Sequence, residues 1–158
     1  MNNSASKPER QRRRSRSELD PVIGKIIDDE FIIDRPIGTG SHADVFLARQ
    51  KSVGDRPVAI KVLCRPYLSL REPDLRRASM ALLREAKLLG ALRSPCFINI
   101  IRTGKVEDGR PYIAMELAQG PTVAKVLKEK KRLGVGVLAE MLAQLGEGLA
   151  ELHGIGYV

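Results

Sequence analysis

The chain has 158 residues, 43% of them hydrophobic and 29% charged, with a net charge of +8. That is the balance of an ordinary globular domain with room for one real core. No apolar run approaches the roughly 18 residues of a membrane-spanning helix, and the polar, arginine-rich N-terminus leads into no apolar stretch, so neither a membrane segment nor a secretory leader is expected.

Residues 1–28 read as a disordered basic tail, rich in Asn, Ser and Arg and poor in side chains that could pack. The first twenty hold six basic residues (Lys7, Arg10, Arg12, Arg13, Arg14, Arg16) and three acidic ones (Glu9, Glu18, Asp20), so the tail carries +3 and the remainder +5. The run Arg12-Arg13-Arg14-Ser15-Arg16-Ser17 would suit a nucleic-acid arm, a phosphorylation site or a plainly solvated tail. The charge alone does not choose between them, and nucleic acid is not the expected partner.

The pattern changes near residue 31. Residues 31–37 form a short apolar-rich run ending at Gly38-Thr39-Gly40, and residues 45–48 follow as a second. After a loop whose Gly54-Asp55 signals a turn, residues 57–63 give a third. Three short strands joined by short turns predict an antiparallel meander. Residues 74–92 switch to helical spacing, with Leu75, Met80, Leu82, Leu83, Leu88, Leu89 and Leu92 interleaved with charges, until Pro95 stops the helix. Residues 97–101 and 111–117 read as two further strands around the polar turn Glu107-Asp108-Gly109-Arg110. Beyond Gly120-Pro121 the chain is helical. Thr122 is a candidate N-cap for a helix to about residue 131. A last helix covers 135–153, its apolar residues Leu138, Met141, Leu142, Leu145, Leu149 and Leu152 stepping by three and four. Gly146 and Gly148 each weaken it by about 1 kcal/mol relative to Ala, so packing must hold it. The expected class is α+β: a five-stranded antiparallel sheet carrying one helix, followed by two more helices. Cys64 and Cys96 belong to no spaced ligand set and read as small buried residues of a reduced, cytoplasmic protein.

Three features carry chemistry. Gly38-x-Gly40-x-x-Ala43-x-Val45 lies between two strands, where a glycine turn can bring backbone N–H groups close to phosphate oxygens. A strand follows the glycines instead of a helix, which excludes the dinucleotide-binding fingerprint, and no Gly-Lys-Ser/Thr is present to make a Walker A loop. Val58-Ala59-Ile60-Lys61 begins 13 residues after Val45 and ends an apolar strand with a lysine that needs a partner. Glu85, 24 residues beyond Lys61, sits among apolar helix positions that would turn it toward the sheet.

Together these resemble the small lobe of a protein kinase, from about residue 31 to the end of the chain. The segment from Glu107 through Glu116 and the run Leu149-Ala150-Glu151-Leu152-His153-Gly154-Ile155-Gly156 are similar to those of bacterial serine/threonine kinases. The resemblance implies an ATP-binding small lobe over 29–118 and the first two helices of a large lobe over 119–158. It implies that Lys61 contacts the α- and β-phosphates and pairs with Glu85, while Ile37, Gly38, Gly40 and Ser41 cover the nucleotide. Val45 and Ala59 would pack on the adenine, Met115 would close the back of its pocket, and Glu116 C=O and Ala118 N–H would bond its edge. Leu89 and Ile100 would stack between helix and sheet. His153 matches a structural histidine of the family, and neither it nor His42 is expected to be catalytic. Ala43 replaces the family's third glycine, a change small enough to leave nucleotide binding intact.

The sequence reaches Gly156-Tyr157-Val158 before the family's His-Arg-Asp catalytic loop and the Asp-Phe-Gly magnesium site. The 158 residues are therefore expected to be catalytically incompetent alone, a truncated stretch of an enzyme that moves phosphoryl from Mg-ATP to protein Ser/Thr. The alternative is a non-catalytic regulatory module binding a nucleotide or a kinase partner.

Overall fold

The computed structural model describes residues 17–130 and 132–157. Six strands form one antiparallel sheet: β1 (Ile26–Ile27), β2 (Phe31–Thr39), β3 (Ala43–Gln50), β4 (Arg56–Leu63), β5 (Ile100–Lys105) and β6 (Pro111–Glu116), in the order β1-β2-β3-β4-β6-β5. Helix α1 (Glu72–Ala91) lies between β4 and β5, and α2 (Val123–Lys130) and α3 (Val135–Gly154) follow β6. The expected α+β arrangement stands, with one correction: the sheet has six strands, not five.

The added strand comes from the segment assigned to the tail. Residues 17–28 fold onto the sheet, with Val22 and Ile27 in the core and Asp20 buried. The β1–β2 turn holds Asp28 and Asp29 at φ 48° and 54°, a left-handed conformation that aspartate tolerates better than most residues. A two-residue strand has no period to read, and this turn lacks the usual glycine. The reading of residues 1–16 as disordered lies outside the described residues.

Side-chain alternation divides the sheet into two faces. From β4 and β6, Val58, Ile60, Val62, Tyr112 and Ala114 join Phe31, Ile33 and Phe46 in one core. The intervening Leu63 and Ile113 face α1 and pack with Leu82 and Ala86. The sheet curls until its two ends approach: Asp28 accepts a hydrogen bond from the Tyr112 hydroxyl and lies 3.9 Å from Arg102 of β5.

Helix α1 begins at Glu72, two residues before the expected start, because Pro73 is tolerated in a first turn whose N–H groups have no helical partner. Leu75, Ala78, Leu82 and Ala86 form its packed stripe, at spacings of three and four. β5 begins at Ile100 and runs to Lys105, later than the expected 97–101. Residues 95–97 turn, with Phe97 N–H donating to Ser94 C=O at 3.1 Å, and the polar stretch Arg102 to Lys105 hid the rest of the strand. Thr122 accepts the Lys125 N–H at 3.2 Å, one turn into α2.

Among the described residues, helix α3 is joined to the loop that follows α1. Glu151 accepts the backbone N–H groups of Arg93 (2.7 Å) and Ser94 (2.9 Å), just past α1. A Cβ added to Gly148 would lie 2.3 Å from Cys96 Sγ, so the glycine lets the helix approach. Cys64 is buried as expected, whereas Cys96, at this joint, is partly exposed. Among the described residues no helix is long and apolar enough to cross a membrane.

Candidate functional site

Strand register gathers the residues singled out from the sequence. Val45 of β3 is paired with Lys61 of β4, and Leu47 with Ala59. Ala59 and Lys61 are in turn paired with Met115 and Ile113 of β6, and Met115 with Ile100 of β5. Paired residues share a face, so Val45, Ala59, Lys61, Met115 and Ile100 all lie on the side that carries α1. Ala59 is buried there, and Val45 and Met115 are half-buried.

Glu85 follows Leu82 by one helical turn and directly precedes Ala86, at the edge of the packed stripe of α1. Lys61 Nζ donates to both of its carboxylate oxygens at 2.6 Å. The lysine side chain is 24% exposed and the glutamate 44%. This is a half-solvated pair whose strength is tempered by water. Its value is geometric: the ammonium is held at one place on the open face.

The turn between β2 and β3 closes on itself, with Gly40 N–H donating to Ala43 C=O at 3.0 Å. A Cβ on Gly40 would lie 2.8 Å from that carbonyl, which explains the glycine. Gly38 is paired with Val45 after a bulge in β2 that leaves Ile37 exposed. Ser41 and His42 occupy the exposed tip, Ser41 Oγ lying 2.7 Å from His42 Nδ1. The end of β4 supports this tip from below: Cys64 N–H donates to His42 C=O at 2.9 Å and its thiol to Gly40 C=O at 3.7 Å. The His42 ring lies 5.7 Å from that of Tyr67. Ala43, at the third-glycine position, is buried with Leu63 and Ile113, so its methyl fills core space.

At the other end of the face, Glu116 closes β6 and its side chain accepts from Asn99 Nδ2 at 2.9 Å; Ala118 is exposed just beyond. A cavity of about 610 Å³ lies elsewhere, between residues 21–28 and the β5–β6 turn, lined by Val22, Ile26, Val106 and Arg110 among others. It includes none of the residues on the Lys61 face. Among the described residues no group of three or more His, Cys, Asp or Glu is disposed to hold a metal ion.

Sequence reasoning missed the supports of this site. Arg110, read as part of a polar turn, is 1% exposed and buried against Asp20. Tyr67 and Glu151 carry no local pattern that sets them apart. The Asp20-Pro21 pair is a turn signal that points to residues 20–24.

Residues 31–158 match the Protein kinase domain family. The chain is 32% identical over 141 residues to the serine/threonine-protein kinase pkn3 of Myxococcus xanthus, covering 89% of this chain and 25% of that kinase. With pkn2 of the same organism the identity is 35% over 136 residues, covering 84% and 15%. With PknL of Mycobacterium tuberculosis it is 29% over 140 residues, covering 88% and 33%. The chain thus spans a third or less of the length of these relatives. The solved structure of PpkA-294 in its apo form has the same fold, with a TM-score of 0.72 at 21% identity, covering 90% of this chain and 54% of that one. The chain belongs to the protein kinase family: its sequence is akin to the serine/threonine kinases of bacteria, and its fold is the small lobe of a kinase continued by helices of the large lobe.

Proposed function

We propose that the face carrying Lys61 binds ATP, as the nucleotide-holding part of a protein serine/threonine kinase. The observation that carries this reading is the bidentate Lys61–Glu85 pair beside a glycine turn with no room for a side chain at Gly40. A fixed ammonium beside exposed backbone at such a turn suits a polyphosphate. Lys61 would take the α- and β-phosphates, with Gly38, Gly40 and Ser41 above them and Ile37 at the rim. Val45 and Ala59 would pack on the adenine, Met115 would lie behind it, and Glu116 C=O and Ala118 N–H would bond its edge. In the complete enzyme ATP would supply the transferable γ-phosphoryl group and Mg²⁺, whose family ligands lie outside these 158 residues, would neutralise its charge; the acceptor expected for this family is a protein serine or threonine hydroxyl.

Calorimetry with ATP tests the site. Lys61→Ala is expected to weaken binding by about 10- to 100-fold, the range of a charge-assisted contact. Equal affinity in the variant would overturn the assignment. The 158 residues contain neither His-Arg-Asp nor Asp-Phe-Gly. On this reading they bind ATP as a separate polypeptide without passing phosphoryl on, and label transferred from Mg-ATP to a protein substrate by the purified chain would refute that.

A further inference from the structure

Residues 17–28 precede the stretch that matches the kinase family, yet they are built into its core. Asp20 is the anchor. Its Oδ1 accepts the Val22 N–H at 3.0 Å, closing the turn that starts the segment. Both its oxygens accept from Arg110, at 2.7 Å from Nη1 and 2.8 Å from Nη2. Arg110 Nε is bound by Asp108 at 2.9 and 3.0 Å. Burial disfavours the charged form of Asp20, but the Arg110 and Val22 hydrogen bonds outweigh it and hold the carboxyl below its ordinary range.

The guanidinium has one more partner. Arg110 Nη1 donates to Leu63 C=O at 3.0 Å. That carbonyl and the Cys64 N–H belong to one planar peptide unit, so fixing the oxygen fixes the direction of the amide. The Cys64 N–H donates to His42 C=O at the tip of the glycine turn. A continuous line of hydrogen bonds therefore runs from Asp20 through Arg110 and the 63–64 peptide to the turn. Hydrogen bonds in such a chain polarise and strengthen one another.

We propose that Arg110 is a positioning residue for the glycine turn: gripped by Asp20, it orients the 63–64 peptide, which holds the turn over the nucleotide face. Residues 17–28 are then a working part of the lobe, a strap whose grip is felt across the sheet. The nucleotide consequence rests on the ATP reading above; the effect on the turn does not.

The test is native-state amide exchange and ATP binding on the intact chain, comparing Asp20→Asn, Asp20→Glu and Ile33→Val. Asparagine keeps the Val22 turn bond but removes the charge facing Arg110. Ile33→Val trims a core side chain while keeping the backbone bonds of Ile33 to Gly24 and Lys25, and controls for lost stability. In Asp20→Asn the Cys64 amide should exchange roughly 10-fold faster, beyond any change at Ile60 within β4. ATP should bind about 3- to 10-fold more weakly, Asp20→Glu should recover part of both effects, and Ile33→Val should give neither. Cys64 exchange that merely tracks Ile60, or matches the Ile33→Val control, would overturn the proposal. If the unsubstituted chain binds no ATP, the nucleotide reading fails and amide exchange alone decides the relay.

Discussion

The sheet and the last two helices use similar apolar side chains to different ends. In the sheet, Phe31, Phe46, Ile60 and Tyr112 are completely buried. In α3, Leu138, Leu142, Leu145 and Leu149 follow a regular helical stripe and remain 44–59% exposed, with Gly148 the buried residue of that helix. Apolar periodicity marks a face that wants cover; whether cover exists depends on what is packed against it. Among the described residues α3 is joined at Glu151 and Gly148, while its leucine stripe keeps much of its surface open.

Substitution can break this contrast. Phe46→Ala should cost about 3–5 kcal/mol in denaturant unfolding, while Leu142→Ala should change stability by no more than about 0.5 kcal/mol. Comparable losses would mean that the stripe is covered after all. Gly148→Ala should cost about 1–3 kcal/mol, because the new methyl meets Cys96 Sγ and the joint must open. Gly146→Ala, two residues away, meets nothing within 4 Å and should stabilise the helix by about 0.5–1 kcal/mol. Opposite signs at these neighbours would show that the close approach is confined to Gly148 and does not extend to Gly146.

Acid should act on the strap through Asp20. Asp20 has its folded-state pKa lowered, so its contribution is complete above the ordinary carboxylate range and is lost as pH falls through the lower folded value. Unfolding followed between pH 6 and 2 should show this loss, and Asp20→Asn should remove the part of the slope due to this group. An unchanged slope in the variant would mean that Asp20 gains nothing from Arg110.

The sheet's centre was readable from local pattern. Residues 57–63 show a buried strand with one lysine on the helix-bearing side, and Glu85 stands beside Leu82 and Ala86, which face that side; their meeting follows from register and helical period. What local pattern could not show was pairing at a distance. Asp20 and Arg110 lie 90 residues apart and each, taken alone, reads as a surface charge in a turn. Glu151 looks like any exposed helix carboxylate until the loop after α1 presents two N–H groups to it. The residues gathered on the Lys61 face were legible because their spacing is itself the signal; their supports were not.

The strand order also has a kinetic side. β1 to β4 are sequence neighbours that can zip by short turns, and β5 and β6 form another local hairpin. Setting β6 against β4 closes a much longer loop, through α1 and β5, and non-local pairing of this sort is the slow step of a fold. Arg110 reaches Leu63 once that closure is made. The glycine turn would therefore gain its support late, after both hairpins exist, and a chain caught before that step would have strands in place with a loose turn.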